Sequence, residues 1–318
     1  MNKDGNFDVK YNKQSYNIYE FLNNHPGGIN YVKPYKEKDV SKPMSLYDHS
    51  KAAYYLLEEY KKGGRRKSHE SEEDLERLVN WDKPMFSQVG KLGTKYYEWV
   101  TSPVDRHLQL FGNPILEYMT ITPWYIVPIV WVPICIYLTI KGAEQYTLIT
   151  NDTSPYVPVV LAFIQGGLMW TLIEYSLHRW VFHIEPSGHS KAMIYFHFTI
   201  HGLHHKVPFD SRRLVFPPFP AAIIVYILYK FIGLFIPESK HLLVLSGGIA
   251  GYVIYDMIHF YLHHGSPQEN SYFYHLKRYH NQHHFAHHDN GFGISSTIWD
   301  KVFGTAIKLR QLSMGIKW

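Results

Sequence analysis

The stretch TPWYIVPIVWVPICIYLTI, residues 122–140, contains no formally charged side chain. It lies within a longer uncharged run that is bounded by Glu117 and Lys141. An apolar helix needs about 20 residues to cross the hydrocarbon core of a bilayer. The sequence therefore predicts a membrane-spanning helix at this position.

Three further apolar runs follow, at 156–173, 216–236 and 242–255. Lys230 interrupts the second of them, and Asp256 and His259 follow the third before it reaches the length of a full crossing. A buried soluble hairpin is the alternative for these last two runs. Trp124, Trp170 and many tyrosines suit membrane interfaces. We expect a mainly α integral membrane protein with four transmembrane helices.

Four crossings arranged as two hairpins predict the orientation of the chain. The N-terminus, residues 178–215 and the C-terminus then share one side, and the loops near 142–155 and 237–241 lie on the other. Only Lys141 and Lys240 fall on the second side, while the first side carries Arg65, Arg66, Lys67, Arg179, Lys191, Lys206, Arg212, Arg213, Lys277 and Arg278. Because Lys and Arg are enriched in cytoplasmic segments, the first side is predicted to be cytoplasmic.

Composition excludes several classes of protein. The formal charge is +5 and the basic residues are scattered, so no nucleic-acid partner is expected. One cysteine, Cys135, rules out a disulfide within the chain and a cysteine-rich metal site. The first residues lack an apolar segment, so no cleaved secretory signal is expected.

Four motifs contain histidines at the spacing of metal ligands: HRWVFH (178–183), HGLHH (201–205), HFYLH (259–263) and HNQHH (280–284). Positions three and four apart lie on one face of a helix, whereas the H-x4-H spacing requires a helix end or a local distortion. A solvated helix face is the alternative for any single motif. Ten converging imidazoles exceed the requirement of one ion, so two metal ions are predicted. Imidazole suits zinc, copper, iron and nickel alike.

Other polar residues lie near these motifs. Glu174 precedes His178 and Asp256 precedes His259 at helical spacing, so each carboxylate has two interpretations: an acceptor for the far ring N–H of the ligand, or an ion pair or cap. His197 is expected beside the ligands, and His287 and His288 at the surface.

The N-terminal segment NKQSYNIYEFLNNHPGG (12–28) is followed by DHS at 48–50. HPGG and DHS at this spacing resemble the haem-binding core of cytochrome b5, in which two axial histidines correspond to His25 and His49. The family usually has another strand and helix before FDVKYNKQSYN (7–17), where only six residues stand here. An N-terminally truncated domain is one interpretation. The charged segment RRKSHESEED (65–74) is consistent with a hinged electron donor.

The remainder of the chain resembles the membrane di-iron fatty acid hydroxylase and desaturase superfamily, and most closely its fatty acid 2-hydroxylase branch. The resemblance is carried by residues 78–100, WTLIEYSLHRWVFH (170–183), FHFTIHGLHHKVPFDSRRLVFPP (196–218), GYVIYDMIHFYLHHGSP (251–267) and LKRYHNQHHFAHHDNGFGISSTIWDKVFGT (276–305). The metal-binding positions of the family match His178, His183, His201, His204, His205, His259, His263, His280, His283 and His284.

The resemblance implies a cytoplasmic helical dimetal cap on a four-helix stalk in the endoplasmic reticulum membrane. Iron is implied as the active metal, with zinc able to replace it in preparations. The implied reaction uses dioxygen to hydroxylate carbon 2 of a long-chain fatty acid or fatty acyl chain for sphingolipid synthesis. Electrons would come from an NADPH- or NADH-dependent reductase through haem b.

The domains implied are a small α+β cytochrome b5-like domain (1–64), a charged linker (65–77) and a transmembrane hydroxylase domain (78–318). Two alternatives stay open from the residues. One is a desaturase or sterol hydroxylase with the same ligands, and the other is a non-enzymatic membrane scaffold that binds haem and zinc.

Overall fold

The computed structural model describes residues 5–47, 49–63 and 75–309. The N-terminal unit is a small α+β structure, as the sequence predicts. Strands β1 (Asp8–Tyr11) and β2 (Gln14–Asn17) form an antiparallel hairpin in which Val9 pairs with Tyr16. Helices α1 (Ile29–Val32), α2 (Ser41–Leu46) and α3 (Lys51–Leu57) follow. Val9, Tyr16 and Leu22 belong to a separate apolar core of this unit.

A cap of short helices begins at the 3-10 helix Leu75–Leu78. It continues with α4 (Phe86–Val89), α5 (Tyr96–Val100) and α6 (Pro114–Met119), and later in the chain with α9 (Lys191–His197), α10 (Leu203–Lys206), α13 (Tyr272–Phe285) and α14 (Ile298–Val302). The fully buried Lys206 joins two parts of the cap, because its Nζ donates to Glu76 Oε1 at 2.7 Å and to the Trp99 carbonyl at 2.9 Å. Leu75 and Glu76, near the end of the predicted linker, are thus buried in the cap.

Four longer helices form the stalk: α7 (Ile126–Thr150), α8 (Tyr156–Leu177), α11 (Pro218–Ile232) and α12 (Glu238–His264). Three of them, α7, α8 and α12, are long and apolar enough to cross a membrane. Helix α11 has 15 residues, which corresponds to about 22 Å of rise against a hydrocarbon core of about 30 Å. Of the four predicted crossings, three are therefore matched by helices of spanning length.

Helices α8 and α12 approach each other at glycines. A Cβ atom on Gly166 would lie 2.0 Å from the Val244 carbonyl oxygen, and one on Gly247 would lie 1.9 Å from the Phe163 carbonyl oxygen. No side chain larger than hydrogen fits at these distances. Small residues allow such backbone contact between membrane helices, which brings many atoms into van der Waals range.

Two π-helical turns interrupt the helices that carry the first histidine motifs. One spans His178–Phe182 and the other Phe198–Gly202. In the first, the His183 amide donates to the His178 carbonyl at 3.0 Å, so the two histidines lie on one face despite the H-x4-H spacing. This π-helical turn is a local distortion, one of the two arrangements that the spacing predicted.

Candidate metal centre

The ten histidines predicted as metal ligands come together in two groups of five. The first group contains His178, His183, His201, His205 and His283, and the second contains His204, His259, His263, His280 and His284. Within each group the ligand atoms lie within 4.8 Å of one another. Nine of the ten residues are buried, and His183 is half-buried.

The two H-x2-H-H motifs contribute to both groups. His201 and His205 belong to the first group, whereas His204 between them belongs to the second. In α13, His280 and His284 belong to the second group, and His283 between them belongs to the first. The three imidazoles of each motif share one face of their helix, and that face meets both groups. Consecutive helical residues point about 100° apart, so neighbouring histidines diverge to different groups.

The ring nitrogens are too crowded for hydrogen bonding alone. His201 Nε2 lies 3.1 Å from the Nε2 atoms of His178, His183 and His205. In the second group His280 Nε2 lies 2.8 Å from His263 Nε2 and 3.0 Å from the Nε2 atoms of His259 and His284.

Each imidazole nitrogen carries either one lone pair or one hydrogen, so it cannot satisfy three such neighbours by hydrogen bonds. A shared cation can satisfy them. Two metal–nitrogen bonds of about 2.0 to 2.1 Å at a right angle place their nitrogens about 3 Å apart. The separations in both groups match this value. Each group therefore fits one metal ion in its donor atoms and spacing.

Burial keeps these imidazoles in their neutral, metal-binding form. Desolvation lowers the pKa of His201, His205 and His283 well below the ordinary value, and the neighbouring histidines lower it further. The same causes act on His280 and His284 of the second group. A protonated histidine cannot bind a metal, so this environment favours metal binding at neutral pH.

Backbone carbonyls orient two ligands of the first group. His178 donates its Nδ1 hydrogen to the Phe292 carbonyl at 2.5 Å, and His283 donates its Nδ1 hydrogen to the Asn290 carbonyl at 2.8 Å. These bonds leave Nε2 of both rings as the metal-binding atom. A sequence pattern does not predict which backbone carbonyl will accept a hydrogen bond from a histidine ring.

Glu174 and Asp256 do not accept from the ligand rings. The buried Glu174 accepts from the amides of Ile294 and Ser295 at 3.0 and 2.8 Å. Asp256 accepts from the Phe216 amide at 3.2 Å. Both acids act as caps on loop backbone, which was one of the two interpretations from the sequence.

A third buried acid, Asp300, holds the loop that Glu174 caps. Asp300 accepts from the amides of Phe292 and Gly293, each at 2.9 Å, and from the Thr305 hydroxyl at 2.8 Å. It therefore fixes the segment whose carbonyls orient His178 and His283. Sequence reasoning gave Asp300 no role.

We expect the substitution Asp300→Asn to weaken the first group selectively. An amide cannot accept from both neighbouring N–H groups through two oxygens, so the Phe292 carbonyl loses its fixed position. Loss of an outer partner typically lowers metal affinity about 10- to 100-fold. Metal analysis of the purified protein should show a fall from two ions toward one per chain. Asp289→Asn, the same substitution at an exposed aspartate, is the control, and equal metal loss in both variants would contradict the assignment.

Three further histidines, each with a position expected from the sequence, have other surroundings. His197 is buried and its Nδ1 lies 2.6 Å from the Tyr96 hydroxyl, so it belongs to the cap core. His287 is exposed, as expected. The prediction of a surface position is wrong for His288, which is half-buried with its ring centre 5.8 Å from that of His205. Helix α13 ends before His288, and the chain turns back toward the first group.

Aromatic side chains cover the membrane side of the first group. Phe182 stacks on His201 with ring centres 5.3 Å apart and on Phe216 with ring centres 6.0 Å apart. A cavity of about 40 Å³ lies beyond them, between α8, α11 and α12, and Trp170, Tyr252 and Tyr255 line it. The histidines therefore face an apolar surface toward the membrane helices.

The predicted haem ligands face each other across a separate cavity. His25 and His49 have ring centres 6.2 Å apart and line a mostly apolar space of about 310 Å³. Two imidazoles on opposite faces of one haem iron, at about 2.0 Å per bond, have ring centres about 6 Å apart. His49 donates its Nδ1 hydrogen to the Met44 carbonyl at 3.0 Å, which leaves Nε2 free. Burial, and then His49, lowers the pKa of His25 to about 4, so it stays neutral.

Fold and site together define a helical membrane protein with a paired histidine centre and an N-terminal bis-histidine unit. A fatty acid hydroxylase family model matches residues 163–305, and a cytochrome b5-like haem/steroid binding domain model matches residues 2–65. The fatty acid 2-hydroxylase of Homo sapiens is 38% identical over 93% of this chain and 90% of its own length. The chain belongs to the fatty acid 2-hydroxylase family and is a hydroxylating oxidoreductase.

Two other relatives agree with this assignment. A dihydroceramide fatty acyl 2-hydroxylase of Arabidopsis thaliana is 41% identical over 71% of this chain and 92% of its own length. A solved structure described as full-length scs7p, with only the hydroxylase domain visible, is 32% identical. It covers 73% of this chain and 86% of its own length with a TM-score of 0.65.

Proposed function

We propose that this protein hydroxylates carbon 2 of long-chain fatty acyl groups that enter sphingolipids. The observation that carries the proposal is the pair of five-histidine groups, buried beside membrane helices. The names of the relatives support the position of the hydroxyl group and the ceramide connection. An acyl chain is soluble in the same bilayer that these helices are suited to cross.

Both groups would hold iron in the active protein, and zinc could replace it because imidazole binds either metal. When bound, the metal pair supplies the activation of dioxygen that attack on an unactivated C–H bond requires. The ten neutral donors lie on α10, α12 and α13 and on or directly after the two π-helical turns. Phe182 and Phe216 present an apolar surface beside the first group, which favours an acyl chain and excludes water.

The N-terminal unit would hold haem b between His25 and His49 and pass single electrons to the metal pair. Neutral Nε2 atoms on both sides of an apolar cavity support this role. The electrons would come from a reductase that uses NADPH or NADH. The domains proposed are 1–64 for the haem unit, 65–77 for the linker and 78–318 for the hydroxylase.

We place the protein in the endoplasmic reticulum membrane with α7, α8, α11 and α12 as four crossings. Helix α11 continues into the apolar residues Leu234, Phe235 and Ile236, and the first two are 75% and 69% exposed. These residues extend the apolar surface toward the length of a crossing. Both histidine groups and the N-terminal unit then lie on the cytoplasmic side, where most of the Lys and Arg residues lie.

A lipid assay tests the proposed reaction. Microsomes from cells that lack 2-hydroxylase activity, with this chain expressed, should gain 2-hydroxylated acyl chains in ceramide when iron, reductase and NADPH are present. Mass spectrometry of the released acyl chains distinguishes this product from others. A new double bond would instead indicate a desaturase, and a modified sterol would indicate a sterol hydroxylase. No product under these conditions would favour a haem and zinc scaffold.

A further inference from the structure

The cavity that contains His25 and His49 is closed on one side by a helix of the hydroxylase cap. Residues of the N-terminal unit line most of it, and α13 supplies Arg278, Asn281, Gln282 and Phe285. The haem cavity is therefore shared between two parts of the chain. Without α13, one side of this cavity would be open.

The cavity-lining residues lie on one face of α13, because their spacing corresponds to i, i+3, i+4 and i+7. His280, His283 and His284 lie on the opposite face and belong to the two histidine groups. A helix with its side chains is about 10 to 12 Å in diameter. One helix thus separates the cavity of the N-terminal unit from the candidate metal centre.

Specific contacts hold the N-terminal unit in this position. Tyr274 on α13 donates its hydroxyl hydrogen to the Gly27 carbonyl at 3.1 Å, within the HPGG turn. Asn30 donates to Glu269 at 3.1 Å. Away from α13, the guanidinium of Arg106 in the hydroxylase part donates two hydrogen bonds to Glu59 of the N-terminal unit, at 2.7 and 3.0 Å. The predicted hinge at 65–74 lies outside the described residues, and the two units that it joins are in direct contact.

One hydrogen-bond donor in the cavity wall has no partner among the residues that the structure describes. Asn281 is only 6% exposed, and its Nδ2 atom makes no hydrogen bond within 5–47, 49–63 and 75–309. Buried polar atoms are normally hydrogen-bonded, because an unmet donor loses its interaction with water without replacement. An acceptor on a molecule bound in the cavity would satisfy Asn281. On a haem, the carboxylates are the strong acceptors.

We propose that the outer face of α13 completes the haem pocket, with Asn281 donating to a haem carboxylate, and that α13 is the electron route to both histidine groups. The proposal rests on the haem and metal binding proposed above. It assigns the N-terminal unit a fixed docking surface on its own chain. The electron route then consists of one helix, with the haem on one face and the metal ligands His280, His283 and His284 on the other.

Cross-linking tests the docking surface. In a Cys135→Ser background, Asn30→Cys and Glu269→Cys are treated with a short bis-maleimide, and the chain is then cleaved at a protease site inserted within 65–74. The two fragments should stay linked on a denaturing gel. Asn30→Cys paired with Glu144→Cys, at the far end of α7, is the control and should separate. Separation of the first pair as well would overturn the docking surface.

Haem transfer to apomyoglobin, followed by absorbance, tests Asn281. The haem-loaded full-length Asn281→Ala variant should lose haem about tenfold faster than the parent, because it lacks a hydrogen bond to a charged acceptor. His275→Ala, at an exposed position of α13, should release haem at the parental rate. Cross-linking in the Asn281→Ala background shows that its units remain docked. An unchanged rate of haem loss in the docked variant would overturn the role of Asn281.

Neither readout depends on hydroxylation, so the two proposals fail separately. A linked, haem-retaining protein that makes no 2-hydroxy product would contradict the proposed function alone. An active protein whose fragments separate would contradict the docked electron route alone.

Discussion

The substitution His201→Ala is expected to abolish the 2-hydroxy acyl product. His201 Nε2 lies 3.1 Å from three other ring nitrogens, so its loss opens the middle of the first group. Outer-partner changes alone cost about 10- to 100-fold in affinity or activity, and removal of a ligand should cost at least about 100-fold. The measurements are acyl-chain mass spectrometry of microsomes and metal analysis of the purified protein.

The protein should remain in the membrane after carbonate extraction, because His201 is outside α7, α8 and α12. His275→Ala, at an exposed position outside both groups, should retain parental activity and metal content. The metal content of His201→Ala should fall by one ion per chain while the second group keeps its ion. Product formation at the parental level would refute the metal assignment.

The substitution Gly247→Ala is expected to destabilise the stalk strongly. Its new Cβ would lie 1.9 Å from the Phe163 carbonyl oxygen, which is backbone and cannot move aside as a side chain does. Forcing α8 and α12 apart should cost about 3 kcal/mol or more, at the upper end of the range for overpacking. Thermal unfolding in detergent, followed by tryptophan fluorescence, measures the loss.

Gly248→Ala provides a matched control in the same helix and with the same substitution. A Cβ at Gly248 meets nothing closer than the Gly166 carbonyl oxygen at 3.8 Å, which is ordinary van der Waals contact. Its unfolding midpoint should stay near the parental value. Equal midpoints for the two variants would show that close helix packing at Gly247 does not stabilise the protein.

Local patterns were sufficient to predict much of this protein. An uncharged run of membrane length predicts a spanning helix wherever it occurs, because the cost of burying charge in lipid is independent of the rest of the fold. The H-x4-H spacing of His178 and His183 also predicted a helix end or a distortion at that point in the chain. The HPGG and DHS motifs paired His25 with His49, and both residues line one cavity.

Tertiary structure decided which histidines share a group and what holds them there. His204 and His205 are neighbours in sequence but face different groups, because the partners that surround each ring come from α12, α13 and the end of α8. Asp300 and the Phe292 carbonyl act through a loop far along the chain from His178. Spacing determines which side chains share a helix face, whereas packing between helices determines what that face meets. The position of Asn281 in the wall of the cavity that contains His25 and His49 is of this second kind, because no local pattern relates α13 to the N-terminal unit.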